Sequence, residues 1–193
     1  MRPLAKELAR RTLGFPATGR LLLITGGSQG AAPLNRWVEG QLDELAARGI
    51  HALCLTGPGG RDERLERAGS LVHFLPFCHQ MAAAYSAADL AVARAGAGTL
   101  AELATCRTPA VLIPLPSAAD DHQTANARES ARTGAALLLP EAELDRLAAL
   151  VFGRLHDNAA LAAMRDALAL ADAGNRWEAL ATETVALAGG AAA

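Results

Sequence analysis

Apolar residues are spaced along this chain in two alternating rhythms. Residues 21–25 form a short, largely apolar run that stops at Gly26-Gly27, the mark of a buried strand ended by glycines. Over 31–47, Leu34, Val38, Leu42 and Leu45 recur every three or four positions, which predicts one helix. A second strand follows over 50–56, closed by Gly57-Pro58-Gly59-Gly60, then a short polar helix over 62–68 and a third strand over 71–75. The alternation continues with a helix over 81–88, a strand over 90–93, a helix starting at Thr99 and a strand over 109–114. A helix over 121–132, a strand over 135–139 and one or two helices from Glu141 to about Leu170 complete the series. A closing helix is expected over 176–187.

Strand and helix thus alternate about six times through short connections. That order predicts an α/β fold: a Rossmann-like parallel sheet of about six strands flanked by helices. Residues 1–20 read as a linker with a lead-in helix, 21–187 as one core and 188–193 as a frayed tail. Such sheets bind ligands outside the carboxyl ends of their strands, so the loops after each strand carry the interest.

Composition narrows the classes. The 193 residues suit one domain, and with 51% hydrophobic but only 4% aromatic residues the core must be filled by Leu, Val, Ile and Ala. A net charge of −2 gives no reason to expect a nucleic-acid partner. Cys54, Cys78 and Cys106 form no CxxC pair, which suits a reducing compartment. No apolar run is long enough to span a bilayer, and the basic N-terminus lacks the apolar stretch of a signal peptide. The expected location is cytoplasmic, at most peripheral to a membrane.

Four loops hold candidate chemistry. In 26–31 (Gly-Gly-Ser-Gln-Gly-Ala), glycines let backbone approach an anion at a helix start, and Ser28 either caps that helix or meets a phosphate. The spacing is neither GxGxxG nor a Walker loop, and the second strand ends without the acidic residue of a dinucleotide site. In 94–99 (Arg-Ala-Gly-Ala-Gly-Thr), small residues again precede a helix. Thr99 and Glu102 are either a capping box in its first turn or a phosphate ligand and a ribose ligand. After 114–121, the helix start carries His122, Gln123 and Asn126, with Gln123 and Asn126 on one face. Those side chains either solvate the helix start, with Asp120 or Asp121 as cap, or bind hydroxyls of a neutral sugar. In 76–81, Phe77 and Met81 are either core residues or the wall for a flat base. His51 and His73, in or beside strands, read as structural. No pair of cysteines or histidines has metal-ligand spacing, and no GxSxG elbow or Ser/His/Asp set is present.

Taken together, Gly26 to Ala31 with Leu34-Asn35, Phe77 with Met81 to Tyr85, Arg94 to Ala97 with Thr99 and Glu102, and His122-Gln123 with Asn126-Ala127 resemble the C-terminal, donor-binding domain of the MurG family. Those GT-B glycosyltransferases move N-acetylglucosamine from UDP to lipid I, giving lipid II of peptidoglycan. The resemblance covers about residues 1 to 185. It implies an inverting hexosyltransferase with no cofactor, a UDP-sugar donor, a lipid-linked acceptor held by a further N-terminal domain, and a place on the inner face of the cell membrane. The alternatives are another GT-B UDP-sugar transferase, or a non-catalytic nucleotide-sugar-binding module that needs a partner chain. The lack of an Asp-x-Asp metal motif agrees, because helix N-termini can offset the diphosphate charge.

Carried across residue by residue, Arg2 matches a linker arginine that reaches the donor, Ser28 a diphosphate contact, and Cys78 the place where backbone reads the uracil. Ala97, Gly98, Thr99, Leu100, Ala101 and Glu102 match the phosphate and ribose segment, with Glu102 on the ribose diol. Gln123 matches a ligand of the sugar hydroxyls. Gly27, Asn35, Phe77, Met81, His122 and Asn126 are secondary candidates. Two departures stand out: Cys54-Leu55 replaces a common His-Gln, and Cys78 a common isoleucine.

Overall fold

In a computed structural model of the chain, residues 1–60, 71–116 and 121–174 are described. The expected helices over 62–68 and 176–187 and the tail at 188–193 lie outside them. After a lead-in helix α1 (Lys6–Thr12) come β1 (Arg20–Thr25), α2 (Ala32–Glu39), α3 (Leu42–Ala47), β2 (Ile50–Leu55) and β3 (Val72–Leu75). Then follow α4 (Met81–Ala87), β4 (Leu90–Ala93), α5 (Ala97–Cys106), β5 (Ala110–Leu112), α6 (His122–Arg132) and β6 (Ala136–Leu138). A 3-10 segment (Glu141–Arg146) leads into α7 (Leu147–His156) and α8 (Asn158–Gly174).

The six strands form one parallel sheet in the order β3-β2-β1-β4-β5-β6, with Leu22 level with Ala52 on one side and Leu90 on the other. Alternate side chains of β1 serve different cores. Leu21 and Leu23 join α1, α4, α5 and α6 on one face; Leu22 and Ile24 join α2, α3 and α7 on the other. The first face is alanine-rich (Ala83, Ala84, Ala87, Ala91, Ala93, Ala104), which brings helices close, and Tyr85 fills the remaining volume. Helix α8 joins the two layers, with Leu161 in one core and Leu168 in the other.

Some element limits differ from the expectation. The helix over 31–47 is two helices, because the chain leaves the helical path at Gly40-Gln41, where glycine is a poor helix former. Val38 and Leu45 still reach the same core. The strands over 109–114 and 135–139 are trimmed to three residues each, the length over which β5 and β6 find register with a neighbour.

Away from the strand carboxyl ends, α1 is tied down by charges whose pairing the sequence pattern does not show. Arg10, buried, donates to the carbonyls of Ala17 (2.9 Å), Gly19 (3.0 Å) and Ala87 (3.1 Å) and to Asp89 Oδ2 (2.8 Å). Asp89 also accepts from Lys6 and from the Leu21 N–H. Burial alone would raise the Asp89 pKa, but Lys6, the Leu21 N–H and Arg10 outweigh it and hold the carboxyl below its ordinary value. Phe15 stacks on His73 with ring centroids 4.4 Å apart and meets His51 edge-on at 6.0 Å, so both histidines serve packing as expected.

Candidate functional site

The strand order reverses direction between β1 and β4, which is where an open parallel sheet leaves a crevice. The loops 26–31 and 94–96 leave from those two strands, so the two glycine-bearing loops flank it. They are held in different ways.

The first loop is fixed by backbone packed on backbone. A Cβ on Gly26 would lie 2.2 Å from the Gly30 carbonyl carbon, and one on Gly30 would lie 2.2 Å from the Thr56 oxygen. Gly30 also has φ +73°, a left-handed conformation that favours glycine. Asn35 Nδ2 donates to that same Thr56 oxygen at 2.9 Å, and the Cys54 thiol faces Asn35 Oδ1 at 3.7 Å. Asn35 thus braces the loop from behind. Burial, with a smaller push from Glu39, raises the Cys54 thiol pKa to about 12. Ser28 is exposed and does not cap α2: Ala31 is the N-cap residue, and no side chain bonds to the helix start. The cap alternative for Ser28 is therefore corrected, because α2 begins four residues beyond it.

The second loop begins its helix earlier than expected. Gly96, extended at φ −67° and ψ 149°, is the N-cap of α5, so Ala97 and Gly98 form its first turn and Thr99 lies inside the helix. No capping box forms. Glu102 sits in the second turn, half-buried, facing the phenol of Tyr85, which also meets Thr99. Burial first, and the Glu102 carboxylate second, push the Tyr85 pKa far above its ordinary value, so it stays a neutral donor. The first N–H groups of α5 are left open, which suits an anion.

Helix α6 places Gln123 and Asn126 on one face, as the periodicity requires, and both reach the second loop. Gln123 Oε1 accepts from the N–H of Ala95 (3.2 Å) and of Leu115 (3.1 Å), while Asn126 Nδ2 donates to the Ala95 carbonyl (3.0 Å). Two N–H donors fix the oxygen inward, so the Gln123 amide NH2 is its remaining free group. Asp121 occupies the N-cap position of α6 at φ +54° but makes no cap bond; Asp120 lies outside the described residues. His122 is exposed at the same helix start. Arg94, buried, donates to the carbonyls of Ile113 (3.2 Å) and Pro114 (3.1 Å) and pairs with Glu141, which joins the ends of β4 and β5.

Cys78 turns its side chain inward, where burial raises the thiol pKa and a backbone hydrogen bond at Gln80 opposes that. Its own backbone groups make no hydrogen bond within the backbone network of the described residues. Phe77 is 59% exposed, edge-on to His79 at 4.8 Å, while Met81 packs partly into the core, so the core reading fits Met81 and not Phe77. A cleft of about 460 Å³ is lined by Phe77 and Cys78 of this loop together with Leu13, Leu53, His73 and Leu75, among others. Of the candidate residues it includes those two, and none from loops 26–31 or 94–99. Arg2 is exposed in the segment that crosses α4 and α5, where Leu4 N–H donates to Ser86 Oγ at 3.1 Å and Met1 Sδ lies 3.6 Å from Cys106 Sγ. Sequence reasoning missed the Tyr85 and Arg94 roles. The Tyr85 signal was a lone tyrosine in an alanine-rich helix.

Sheet order and two glycine loops at the reversal point define a Rossmann-type domain. Comparison with known proteins makes this specific: the chain belongs to glycosyltransferase family 28, matching its C-terminal domain over residues 21–177. It is 42% identical over 184 residues to the UDP-N-acetylglucosamine--N-acetylmuramyl-(pentapeptide) pyrophosphoryl-undecaprenol N-acetylglucosamine transferase of Opitutus terrae, covering 92% of this chain and 49% of that protein. To the Salinibacter ruber protein of the same name it is 40% identical over 187 residues, covering 86% and 50%. A crystal structure of Acinetobacter baumannii MurG is similar with a TM-score of 0.67 and 34% identity, covering 78% of this chain and 47% of that one. The chain spans about half the length of the curated relatives it matches.

Proposed function

We propose that this chain is the donor-binding half of an inverting transferase that takes N-acetylglucosamine from UDP and delivers it to undecaprenyl-pyrophosphoryl-N-acetylmuramyl-pentapeptide. The observation that carries the reading is the open N-terminus of α5 at the strand-order reversal, one turn from the half-buried Glu102. Phosphate oxygens fit the free N–H groups of Ala97, Gly98 and Thr99, and Glu102 accepts the ribose hydroxyls. Leu100 and Ala101 shape the turn between them. Across the crevice, Ser28 and the backbone of Gly27 meet the diphosphate. The Cys78 backbone reads the uracil beside Phe77, and Arg2 reaches over from the linker. Gln123 offers its NH2 to a sugar hydroxyl, with His122 beside it. The departing UDP carries its charge onto helix N-termini, with no metal or other cofactor assigned. The acceptor belongs to a separate N-terminal domain, and its lipid tail places the work at the inner face of the membrane.

Calorimetry with UDP, UDP-N-acetylglucosamine and UDP-glucose tests the reading on this chain. UDP-N-acetylglucosamine should bind best, and no binding by any of the three would overturn it. Glu102→Gln should weaken UDP by roughly 1.5–3 kcal/mol, the range for a hydrogen bond to a charged group. A lowered melting temperature with unchanged UDP affinity would instead assign Glu102 to Tyr85 alone.

A further inference from the structure

The two donor loops differ in what restrains them. Glycines jam the first against the end of β2, whereas in the second a Cβ on Gly96 or Gly98 meets no heavy atom within 4 Å. Side-chain packing against those two positions therefore does not hold the second loop. Beyond the anchored Arg94, its restraint comes from α6. Ala95, fully buried, ends both its polar groups on that helix: N–H on Gln123 Oε1 and C=O on Asn126 Nδ2. The polar groups of a buried peptide depend on such partners. Ala95 immediately precedes the N-cap Gly96, so its placement sets where the first N–H groups of α5 point.

We propose that Asn126 is a positioning residue, which acts through Ala95 to aim the α5 N-terminus at the donor, and is not itself a sugar ligand. The aim rests on the donor reading given above. Gln123 shares the grip through its oxygen, but its free NH2 gives it a second use; Asn126 is the cleaner probe.

The test uses the whole chain with Asn126→Leu, similar in size but without polar atoms, and Asn126→Ala as a second variant with less bulk. Amide hydrogen exchange at Ala95 is compared without ligand, with β1 as internal reference. Calorimetry then measures UDP and UDP-N-acetylglucosamine. Exchange at the Ala95 amide should quicken about tenfold while β1 is unchanged, and both ligands should weaken by the same factor, again about tenfold, for one lost hydrogen bond to a buried group. Loss confined to UDP-N-acetylglucosamine, with UDP binding intact, would make Asn126 a direct sugar ligand and overturn the proposal. Unchanged exchange in both variants would overturn the grip on Ala95. Quickened exchange with both affinities unchanged would overturn the link from Ala95 to the donor. If the parent chain binds no UDP, the donor reading fails and the aim with it, while the exchange comparison still reports the grip.

Discussion

Gly27 and Gly30 offer a matched pair for testing how the first loop is built. Both are left-handed, at φ +78° and +73°, so an alanine at either position carries about 1–2 kcal/mol of backbone strain. Their surroundings differ. A Cβ at Gly27 meets nothing within 4 Å, whereas one at Gly30 lies 2.2 Å from Thr56 O, 2.8 Å from Gly57 Cα and 2.9 Å from Thr56 C. All three are backbone atoms, so no side-chain rotation relieves the clash. Carbon and carbonyl oxygen approach no closer than about 3.3 Å, so the loop and the β2 end must part by about 1 Å. The Asn35 bond to Thr56 O opposes that movement. Overpacking of this kind adds about 1–3 kcal/mol. Gly30→Ala should therefore melt about 2–12 °C below Gly27→Ala in a thermal scan followed by circular dichroism. Ligand binding should rank the pair in its own way, because the Gly27 methyl enters the space assigned to the diphosphate. UDP affinity should thus fall in Gly27→Ala with only a modest loss of stability. Equal melting temperatures for the two variants would refute the claim that the loop is packed against β2.

Two further outcomes follow from the buried charges and thiols. Asp89→Asn should cost about 3 kcal/mol at neutral pH by leaving Arg10 without its charge partner. Since the parent carboxyl is held below 3.8, its stabilisation is present above that value and lost as pH falls through the depressed one, so the variant's acid unfolding curve should be flatter; parallel curves in urea titrations would contradict this. For Cys54, the thiol stays neutral in the folded chain up to about 12 while the unfolded chain ionises from 9.0, so stability falls as pH rises between those values. Cys54→Ala should lose about 1 kcal/mol less than the parent between pH 9 and 10, and an equal loss would mean that the thiol is not buried as described.

Strand content was legible because the sheet is parallel and buried on both faces: Leu21 to Ile24 cannot be an alternating surface strand, and β1 sits at its centre. The order of loops was legible for the same reason, since short connections leave little choice of neighbour. Helix starts were not. Thr99 and Ser28 are good cap residues, and local propensity assigns them that role. The chain instead begins α5 at Ala97 and α2 at Ala32, leaving Thr99 inside a helix and Ser28 in a loop.

That pattern of misses has one physical cause. A cap satisfies a helix N-terminus from its own sequence, and a site for an anion needs that terminus left open. Where a chain offers a capping residue and the fold does not use it, the N–H groups are free to serve something else. Both misses fall on the loops that follow β1 and β4, the two strands beside the reversal of strand order. Each loop is held by means other than its own cap: glycines against the Thr56 carbonyl in one, amides of α6 around Ala95 in the other. Holding a loop from behind leaves its front unoccupied. Local sequence rules therefore fail at the positions where tertiary contacts have taken over the restraint, which is where a binding site is expected to break them.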